Sequence, residues 1–366
     1  MTSAVAWCVC VNYFLLFFDT AAVVVFLFDK RIAPLHTLFL LSKPRVLLYE
    51  MASPRILITG GSGLVGSLLT KRLRVKYGNN NVIASDVRRD SQTPVAEPYA
   101  QCDISDFNAL EKVIRDNKIN WIINQSAILS AACETNPQLA LKVNVGGFQN
   151  LVELARQHNI RFFSASTIAS FGLSTPRKMV PDVTIQRPPG LYGSTKVHNE
   201  LVGEFYNRKL GVDFRCLRYP VVITEDGEER GRSVDFAVQI FAQAVKSGRY
   251  TCDVAESSCL PYMLVEDVVE ATIKFMEADE SQLTHRTYNV TSFDASIGEI
   301  AKAIRKYVPE YKVDYKPCPI KQPLIDGMPD SLDDSAARKD WGWKPLYNFE
   351  NAVPELINRL KKKYNK

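Results

Sequence analysis

A glycine-rich turn between a strand pattern and a helix pattern constrains this chain more than any other feature. An apolar run at residues 55–59 ends at the turn, and helical spacing of apolar residues begins at Leu64. Gly60, Gly63 and Gly66 stand at G-x-x-G-x-x-G spacing. In such a unit the first glycine permits the tight turn, the second lets backbone N–H groups approach a pyrophosphate, and the third lets helix and strand pack closely. The positive end of the helix then faces the phosphates, so the sequence predicts a dinucleotide site here.

A carboxylate follows this turn at the end of the next strand pattern. Residues 81–86 form an apolar run that ends at Asp86, about twenty residues after the turn, where a dinucleotide site holds the adenosine ribose hydroxyls. A carboxylate there would repel a 2′-phosphate, which favours NAD over NADP. Arg88 and Arg89 leave NADP open, because an arginine at this place can pair with a phosphate. We predict NAD as the cofactor.

After Met51, strand and helix patterns alternate with little else between them, which is typical of a parallel sheet covered by helices on both faces. We therefore predict an α/β fold: a Rossmann-type doubly wound parallel sheet with a smaller C-terminal substrate-binding lobe. The regularity weakens beyond Pro220. The predicted parts are an apolar extension at 1–50, an NAD-binding domain with the catalytic residues at 51–222, and a mainly substrate-binding lobe at 223–366. Two long helices are predicted at 137–158 and 195–210, and a proline-rich loop at 317–329.

The first fifty residues do not match the rest of the chain. They are almost entirely apolar from Ala4 to Phe28, which is typical of a membrane anchor or signal segment. Asp19 near the middle of the run, and the lack of a basic stretch before it, argue against both. We expect residues 1–50 to be either an upstream in-frame extension that the working protein lacks or a targeting segment. Membrane contact is expected only if residues 1–28 are an anchor.

Charge and cysteine content exclude two further classes of function. The net charge is +5 on 366 residues, and lysines and arginines are scattered, so no nucleic-acid partner is predicted. Eight cysteines show no C-x-x-C spacing and only four histidines are present, so no metal site is predicted. Irregular cysteine spacing in a chain of this length favours reduced thiols in an intracellular compartment.

A tyrosine and a lysine four residues apart suggest the chemistry. Tyr192 and Lys196 share one face of a predicted helix. Tyrosine is a weak base, with an unperturbed pKa of about 10, and a nearby ammonium or an oxidised nicotinamide lowers that pKa. We predict that Tyr192 is the base and that Lys196 lowers its pKa and binds the nicotinamide ribose. Residues 164–167 add hydroxyls at the carboxyl end of a strand, where parallel sheets bind ligands.

The chain resembles the extended short-chain dehydrogenases/reductases, a group that includes nucleotide-sugar epimerases. The resemblance rests on four features in this order: the glycine turn, the acid, the hydroxyls and the Y-x-x-x-K spacing. The resemblance implies that Thr167 takes the catalytic Ser/Thr place and hydrogen-bonds the reacting oxygen. It implies substrate contacts from Ser130, Ser166, Thr167, Tyr192 and Ser233. It implies cofactor contacts from Gly60, Ser62, Gly63, Leu64, Val65, Gly66, Asp86, Arg88, Asp103, Ile104, Gln125, Ser126, Ala127, Asn144, Tyr192, Lys196, Tyr219 and Val222. For Asp103, Ile104, Gln125, Ser126, Ala127, Asn144, Tyr219 and Val222, plain packing is the alternative.

The C-terminal half resembles the short-chain type of L-threonine 3-dehydrogenase in particular, at residues 217–220, 247–252, 260–263, 286–291 and 332–343. The resemblance covers about residue 54 to the C-terminus. It implies oxidation of the 3-hydroxyl of L-threonine to 2-amino-3-oxobutyrate, with hydride passing from C3 to NAD. It also implies a homodimer formed through the two long helices and coupling to a CoA-dependent lyase. Eukaryotic relatives imply a mitochondrial location, with the cytoplasm as the alternative.

Two places depart from that group and both concern substrate recognition. The group tends to carry Gly-Gly-Gly-Thr-Thr-Asp where residues 230–235 read Arg-Gly-Arg-Ser-Val-Asp, and often has a tryptophan at Met328. An arginine in the loop either binds a carboxylate or is solvated, and we expect the second. One alternative function is an NAD-dependent nucleotide-sugar epimerase or dehydratase, with a pyrophosphate bound by Arg232, Arg249 and Arg286. Another is a non-catalytic NAD-sensing protein, against which Tyr192 and Lys196 argue.

Overall fold

The computed structural model describes residues 53–87, 96–226 and 231–365. The predicted extension at 1–50 and Arg88 lie outside these residues. The strands are β1 (Ile56–Thr59), β2 (Val82–Asp86), β3 (Tyr99–Gln101), β4 (Trp121–Asn124), β5 (Arg161–Thr167), β6 (Phe214–Tyr219), β7 (Val221–Ile223), β8 (Arg249–Cys252), β9 (Cys259–Leu264), β10 (Thr287–Asn289), β11 (Phe293–Ser296) and β12 (Lys312–Tyr315).

Helices connect most of these strands, and several begin at a capping residue. Asp106, for example, accepts a hydrogen bond from the backbone of Ala109 at the start of the second helix. The helices are α1 (Leu64–Tyr77), α2 (Phe107–Asp116), α3 (Ser130–Thr135), α4 (Pro137–Ala140), α5 (Phe148–Gln157), α6 (Leu191–Leu210), α7 (Phe236–Lys246), α8 (Val265–Glu277), α9 (Ile297–Arg305), α10 (Gln322–Asp326), α11 (Ser335–Trp341) and α12 (Phe349–Lys363).

Seven strands form a central parallel sheet in the order β10-β6-β5-β4-β1-β2-β3. Chain order therefore runs outward in both directions from the β1–β4 junction. In open parallel sheets of this kind, ligands bind beyond the carboxyl ends of the strands at that junction. The predicted Rossmann-type doubly wound fold is confirmed.

Apolar side chains cover both faces of this sheet. Adjacent residues of a strand point to opposite faces, and Phe162 and Phe163 of β5 accordingly belong to different hydrophobic clusters. The cluster around Phe162 includes residues of α2 and α5, and the cluster around Phe163 includes residues of α1, α8 and α11. Helices on both sides thus fix the sheet, and with it the edge where a ligand would bind.

The two long predicted helices are found, with differences. Residues 137–157 are helical throughout, but Leu141–Gly147 is π-helical between α4 and α5. Helix α6 begins at Leu191 rather than at residue 195, so Tyr192 lies in its first turn. Gly193 is required there because a Cβ would lie 2.0 Å from the carbonyl oxygen of Ala169. The glycine that looks like a helix breaker in the sequence serves close packing instead.

The C-terminal half adds smaller sheets around a third hydrophobic cluster. β9 lies between β11, which is antiparallel to it, and β7, which is parallel, while β8 pairs with β12. Helices α7, α9 and α12 pack on these strands. The predicted loop at 317–329 contains the short helix α10, which corrects that expectation. Pro54–Lys366 is one compact unit, and the division at residues 222 and 223 stays a prediction. No helix in the described ranges is both long and apolar enough to cross a bilayer.

Candidate active site

The glycine turn is built so that only glycine fits at two of its positions. Gly60 has φ +70°, and a Cβ there would lie 2.7 Å from the carbonyl carbon of Gln125. A Cβ on Gly66 would lie 2.1 Å from the carbonyl oxygen of Gly60. Gly63 precedes α1, and in this described segment no side chain caps the helix start. The first N–H groups of α1, from Leu64 and Val65 onward, therefore suit a pyrophosphate.

The carboxylate of Asp86 lies directly beside this turn. It accepts a hydrogen bond from the backbone N–H of Ser62 at 3.1 Å and another from Val87 at 2.9 Å. β1 and β2 are paired in register, and this brings residues distant in sequence together. The glycine turn and the Asp86 carboxylate thus have the arrangement that binds a dinucleotide with free ribose hydroxyls. The residues present therefore fit NAD.

The loop after β4 forms the next wall of this crevice. The backbone N–H of Gln125 donates to Thr59 at 2.9 Å, and that of Ser126 donates to the side chain of Asn124 at 3.1 Å. These two residues abut Gly60, and the half-buried Ala127 follows them. Their predicted place in the crevice agrees with this geometry.

Two predicted cofactor residues at the end of β6 differ in how they are placed. The Tyr219 hydroxyl lies 2.6 Å from Thr272 Oγ1 and accepts from Gln125 Nε2 at 3.2 Å. Since its polar atom is used inside the protein, Tyr219 is a buried support of the crevice. Val222 on β7 is half-buried and follows it at the same edge.

Asn144 forms hydrogen bonds to two other parts of the chain. Its side chain accepts from the backbone of Ile128 at 2.7 Å and donates to the same residue at 3.0 Å and to Thr195 Oγ1 at 3.3 Å. It lies in the π-helical segment, a distortion that re-aims side chains at functional sites. Asn144 thus ties the loop after β4 to α6, and its direct contact with the cofactor stays a prediction.

Asp103 and Ile104 also serve local structure. The Asp103 carboxylate accepts from the backbone of Ser105 at 2.8 Å. Ile104 is buried, and a Cβ on Gly147 would lie 2.5 Å from its Cδ1. Packing, the alternative named for Ile104, accounts for its side chain.

Tyr192 and Lys196 lie one helical turn apart, as their spacing predicts. Lys196 Nζ is 5.6 Å from the centre of the Tyr192 ring and donates to the carbonyl of Ala165 at 2.7 Å. Burial lowers the pKa of Lys196 to about 8. Burial is also the largest influence on Tyr192, and it raises the pKa of that hydroxyl, with Cys133 acting the same way and Arg232 acting against it. These side chains together leave the pKa of Tyr192 raised, and the role of Lys196 in lowering it stays a prediction.

The two hydroxyls at the end of β5 have different roles. Thr167 is half-buried, and its Oγ1 accepts from the backbone of Ala169 at 3.2 Å. Ser166 points to the other face and donates to Glu200, which forms a buried ion pair with Arg218 at 2.8 Å. Alternation along the strand explains the difference. The bond to Glu200 disfavours a substrate contact of Ser166, and the substrate contact of Thr167 stays a prediction.

A narrow pocket adjoins Tyr192 and collects several of the predicted substrate residues. Met328, where the sequence departs from the resembling group, is among its walls. Sequence reasoning missed Glu134, whose carboxylate accepts from the backbone N–H of Leu191 at the start of α6. No local signal marks Glu134, because this contact joins residues 57 positions apart. The pocket is lined by Ser130, Glu134, Ala169, Pro189, Gly190, Tyr192, Gly193, Ser233, Leu324 and Met328.

The arginine of the altered loop is not solvated, which corrects our expectation. The Arg232 side chain is 15% exposed and pairs with Asp235 at 2.6 Å. The other two arginines considered for a pyrophosphate are elsewhere. Arg286 pairs with Glu280 at 3.1 Å and also with Asp213. Asp213 precedes β6, at the edge of the sheet opposite the crevice. Arg249 is exposed at the start of β8. The three arginines do not form one anion site.

Residues 56–291 match the family model described as the NAD dependent epimerase/dehydratase family. The chain belongs to this family. NAD is thus confirmed as the cofactor, and the epimerase-like short-chain dehydrogenase resemblance as the correct one. The family membership also explains why an arrangement of turn, carboxylate, tyrosine and lysine occurs in one crevice.

Several similar proteins are named L-threonine dehydrogenases. A cattle protein named L-threonine 3-dehydrogenase, mitochondrial, is 42% identical over 310 residues, covering 84% of this chain and 83% of its own length. The crystal structure of L-threonine dehydrogenase from Phytophthora infestans is 40% identical with a TM-score of 0.81, covering 84% and 99% of the two chains. A monomeric L-threonine 3-dehydrogenase from a metagenome is 36% identical with a TM-score of 0.79, covering 84% and 99%.

Proposed function

We propose that this chain oxidises the 3-hydroxyl of L-threonine to 2-amino-3-oxobutyrate with NAD. The observation that carries the proposal is the pocket in which Ser130 and Ser233 face the same space as Tyr192. The names of the relatives support it, since proteins with 36–42% identity over most of the chain are called L-threonine dehydrogenases.

The residues divide the work as follows. The N–H groups of the glycine turn hold the pyrophosphate, and Asp86 holds the adenosine ribose. NAD, when bound, supplies the acceptor for the hydride that leaves C3. Tyr192 removes the proton of the substrate hydroxyl, and Thr167 orients that oxygen by a hydrogen bond. Lys196, held by Ala165, brings its positive charge next to the Tyr192 ring.

NADH absorbance with a panel of substrates tests this function. The full-length chain is supplied with NAD and L-threonine, L-allo-threonine, L-serine or a UDP-sugar. We expect prompt NADH formation with L-threonine. Interconversion of a UDP-sugar without net NADH would instead establish the epimerase alternative, which the separation of Arg232, Arg249 and Arg286 disfavours.

We propose a homodimer formed through the helical region within residues 137–158 and through residues 195–210 of α6. Exposed apolar side chains one turn apart on α6 support this: Leu201 is 57% exposed and Phe205 48%. Exposed apolar patches of this kind mark interaction surfaces. Sedimentation velocity tests the assembly, and a single monomeric species, as named for the metagenome relative, would contradict it.

We propose that the protein acts in mitochondria and passes its unstable product to a CoA-dependent lyase that yields glycine and acetyl-CoA. The mitochondrial name of the cattle relative supports the location. Imaging of the full-length chain tagged at its C-terminus tests it, with a cytoplasmic signal as the contrary result.

A further inference from the structure

Arg232 is held at a fixed place beside the pocket. Its backbone N–H and its Nε both donate to the carboxylate of Asp235, at 3.0 Å and 2.6 Å. Its Nη1 donates to the carbonyl of Val222 at 3.4 Å. On the other side, the carbonyl of Gly231 accepts from the backbone of Ala131 at 3.4 Å, which ties the loop to α3. A guanidinium fixed in this way loses little conformational freedom when it binds a further group.

One nitrogen of the Arg232 guanidinium forms no hydrogen bond within the described residues. Nη2 of Arg232 is buried and has no hydrogen-bond partner among the residues that the structure describes. A buried donor without a partner is unfavourable, so such a group calls for a ligand. The neighbouring Ser233 lines the pocket with Tyr192, and Arg232 is close enough to Tyr192 to oppose the rise that burial causes in the pKa of that hydroxyl.

The charge of this nitrogen defines the chemistry of its ligand. Guanidinium N–H groups bind carboxylates and phosphates by charge-assisted hydrogen bonds. Arg286 and Arg249 lie away from the pocket, so Arg232 is the one guanidinium of these three arginines beside it. A single guanidinium suits a single carboxylate better than a pyrophosphate. Met328 and Leu324 add apolar side chains to the pocket lining, which favours a small ligand.

We propose that Arg232 binds the carboxylate of an amino-acid substrate through Nη2 and makes a carboxylate beside the reacting hydroxyl a requirement of this chain. The inference rests on the proposed function and deepens it, since it names the residue that selects amino acids. The resembling group tends to carry glycine at this position, so the contact belongs to this chain's own sequence.

The test compares two substrates in two variants. L-Threonine is compared with threoninol, in which a CH2OH group replaces the carboxylate. In Arg232→Gln we expect the KM for L-threonine to rise about ten- to hundredfold, as for loss of one charge-assisted hydrogen bond, with a smaller change in kcat. The kcat/KM for threoninol should fall much less, because threoninol has no carboxylate for Arg232 to bind. Arg249→Gln removes the same charge from an exposed site outside the pocket and should leave both substrates unchanged.

Butyrate binding gives a readout that needs no turnover. Calorimetry in the presence of NADH should show a Kd for butyrate at least about tenfold weaker in Arg232→Gln, with partial recovery in Arg232→Lys. Equal losses with L-threonine and threoninol would mean that Arg232 only braces the loop, and would overturn the proposal. If the wild type binds butyrate through Arg232 but does not oxidise L-threonine, the proposed function fails while the carboxylate site stands.

Discussion

At the scale of single residues, the surroundings of Tyr192, the proposed base, oppose its ionisation. Burial raises the pKa of the Tyr192 hydroxyl, while Lys196 lies 5.6 Å from the ring centre and Arg232 acts in the opposite direction. The positive charges near Tyr192 therefore have to come from this chain and from the oxidised nicotinamide together. A base of this kind works only in the assembled site, which couples cofactor binding to reactivity.

Removal of the Tyr192 hydroxyl should separate binding from turnover. In Tyr192→Phe the ring and its packing stay, so the Kd for NADH, measured by fluorescence, should change less than about threefold, within the range of a surface substitution. The kcat should fall by about 100-fold or more, as for loss of a general base. Retained turnover would contradict the assignment of Tyr192 as the base.

Lys196 should destabilise the fold in a pH-dependent way. Its pKa is lowered by burial from 10.5 to about 8, so below pH 8 both the folded and the unfolded chain carry this proton and the penalty is fully present. As the pH rises from 8 to 10.5 the folded chain releases the proton first, and the penalty disappears. The free energy of unfolding of Lys196→Met, measured in urea, should exceed that of wild type by more at pH 7.5 than at pH 10.

Sequence reasoning located these residues but not their partners. The Y-x-x-x-K spacing and the acid after the glycine turn could be predicted because each depends on neighbours along one helix or strand. Asn144 and Ser166 could not, because their partners Ile128 and Glu200 are reached only through the tertiary fold. Arg232 was expected in solvent for a different reason, because a charge pair three positions apart in a loop pattern does not reveal whether the side chains are buried.

At the scale of elements, two close approaches set the shape of the cofactor crevice. The glycine turn contacts the loop after β4, and α1 starts against the turn itself. Strand–turn–helix units of this kind could be predicted from local pattern alone.

The short strands β7, β8 and β12 were missed, because three or four residues of mixed polarity give no clear period.

Gly66→Ala tests the close contact between the start of α1 and the glycine turn. The added Cβ would lie 2.1 Å from the carbonyl oxygen of Gly60, so the helix start must shift and NADH should bind at least about tenfold more weakly. Gly146→Ala is the matched control, because the nearest atom to its Cβ is 4.0 Å away. Equal affinity in Gly66→Ala and wild type, measured by titration of NADH fluorescence, would show that this contact is not needed.

The ion pair between α6 and β6 should contribute to stability. Glu200 and Arg218 are 2% and 4% exposed, and Glu200→Gln leaves the buried arginine uncompensated. We expect a loss of about 3 kcal/mol in the free energy of unfolding. Asp116→Asn breaks the exposed pair with Lys112 and should leave the free energy of unfolding nearly unchanged. Similar small losses in both variants, measured by urea unfolding, would contradict this account.

At the scale of the whole molecule, sheet order brings the site together. The glycine turn, the loop after β4 and the ends of β5 and β6 all lie at the carboxyl edge near the β1–β4 junction. This placement could be predicted from the alternation of strands and helices. The pocket walls could not, because α3, α10 and the loop at 231–235 come from three separate parts of the chain.

Transfer of deuterium from L-threonine labelled at C3 tests the central claim most directly. The full-length chain is incubated with NAD and this substrate, and the reduced cofactor is analysed by mass spectrometry. The account predicts NADH that carries one deuterium, formed by wild type and absent with Tyr192→Phe. NADH without deuterium, or no NADH at all from L-threonine, would contradict it.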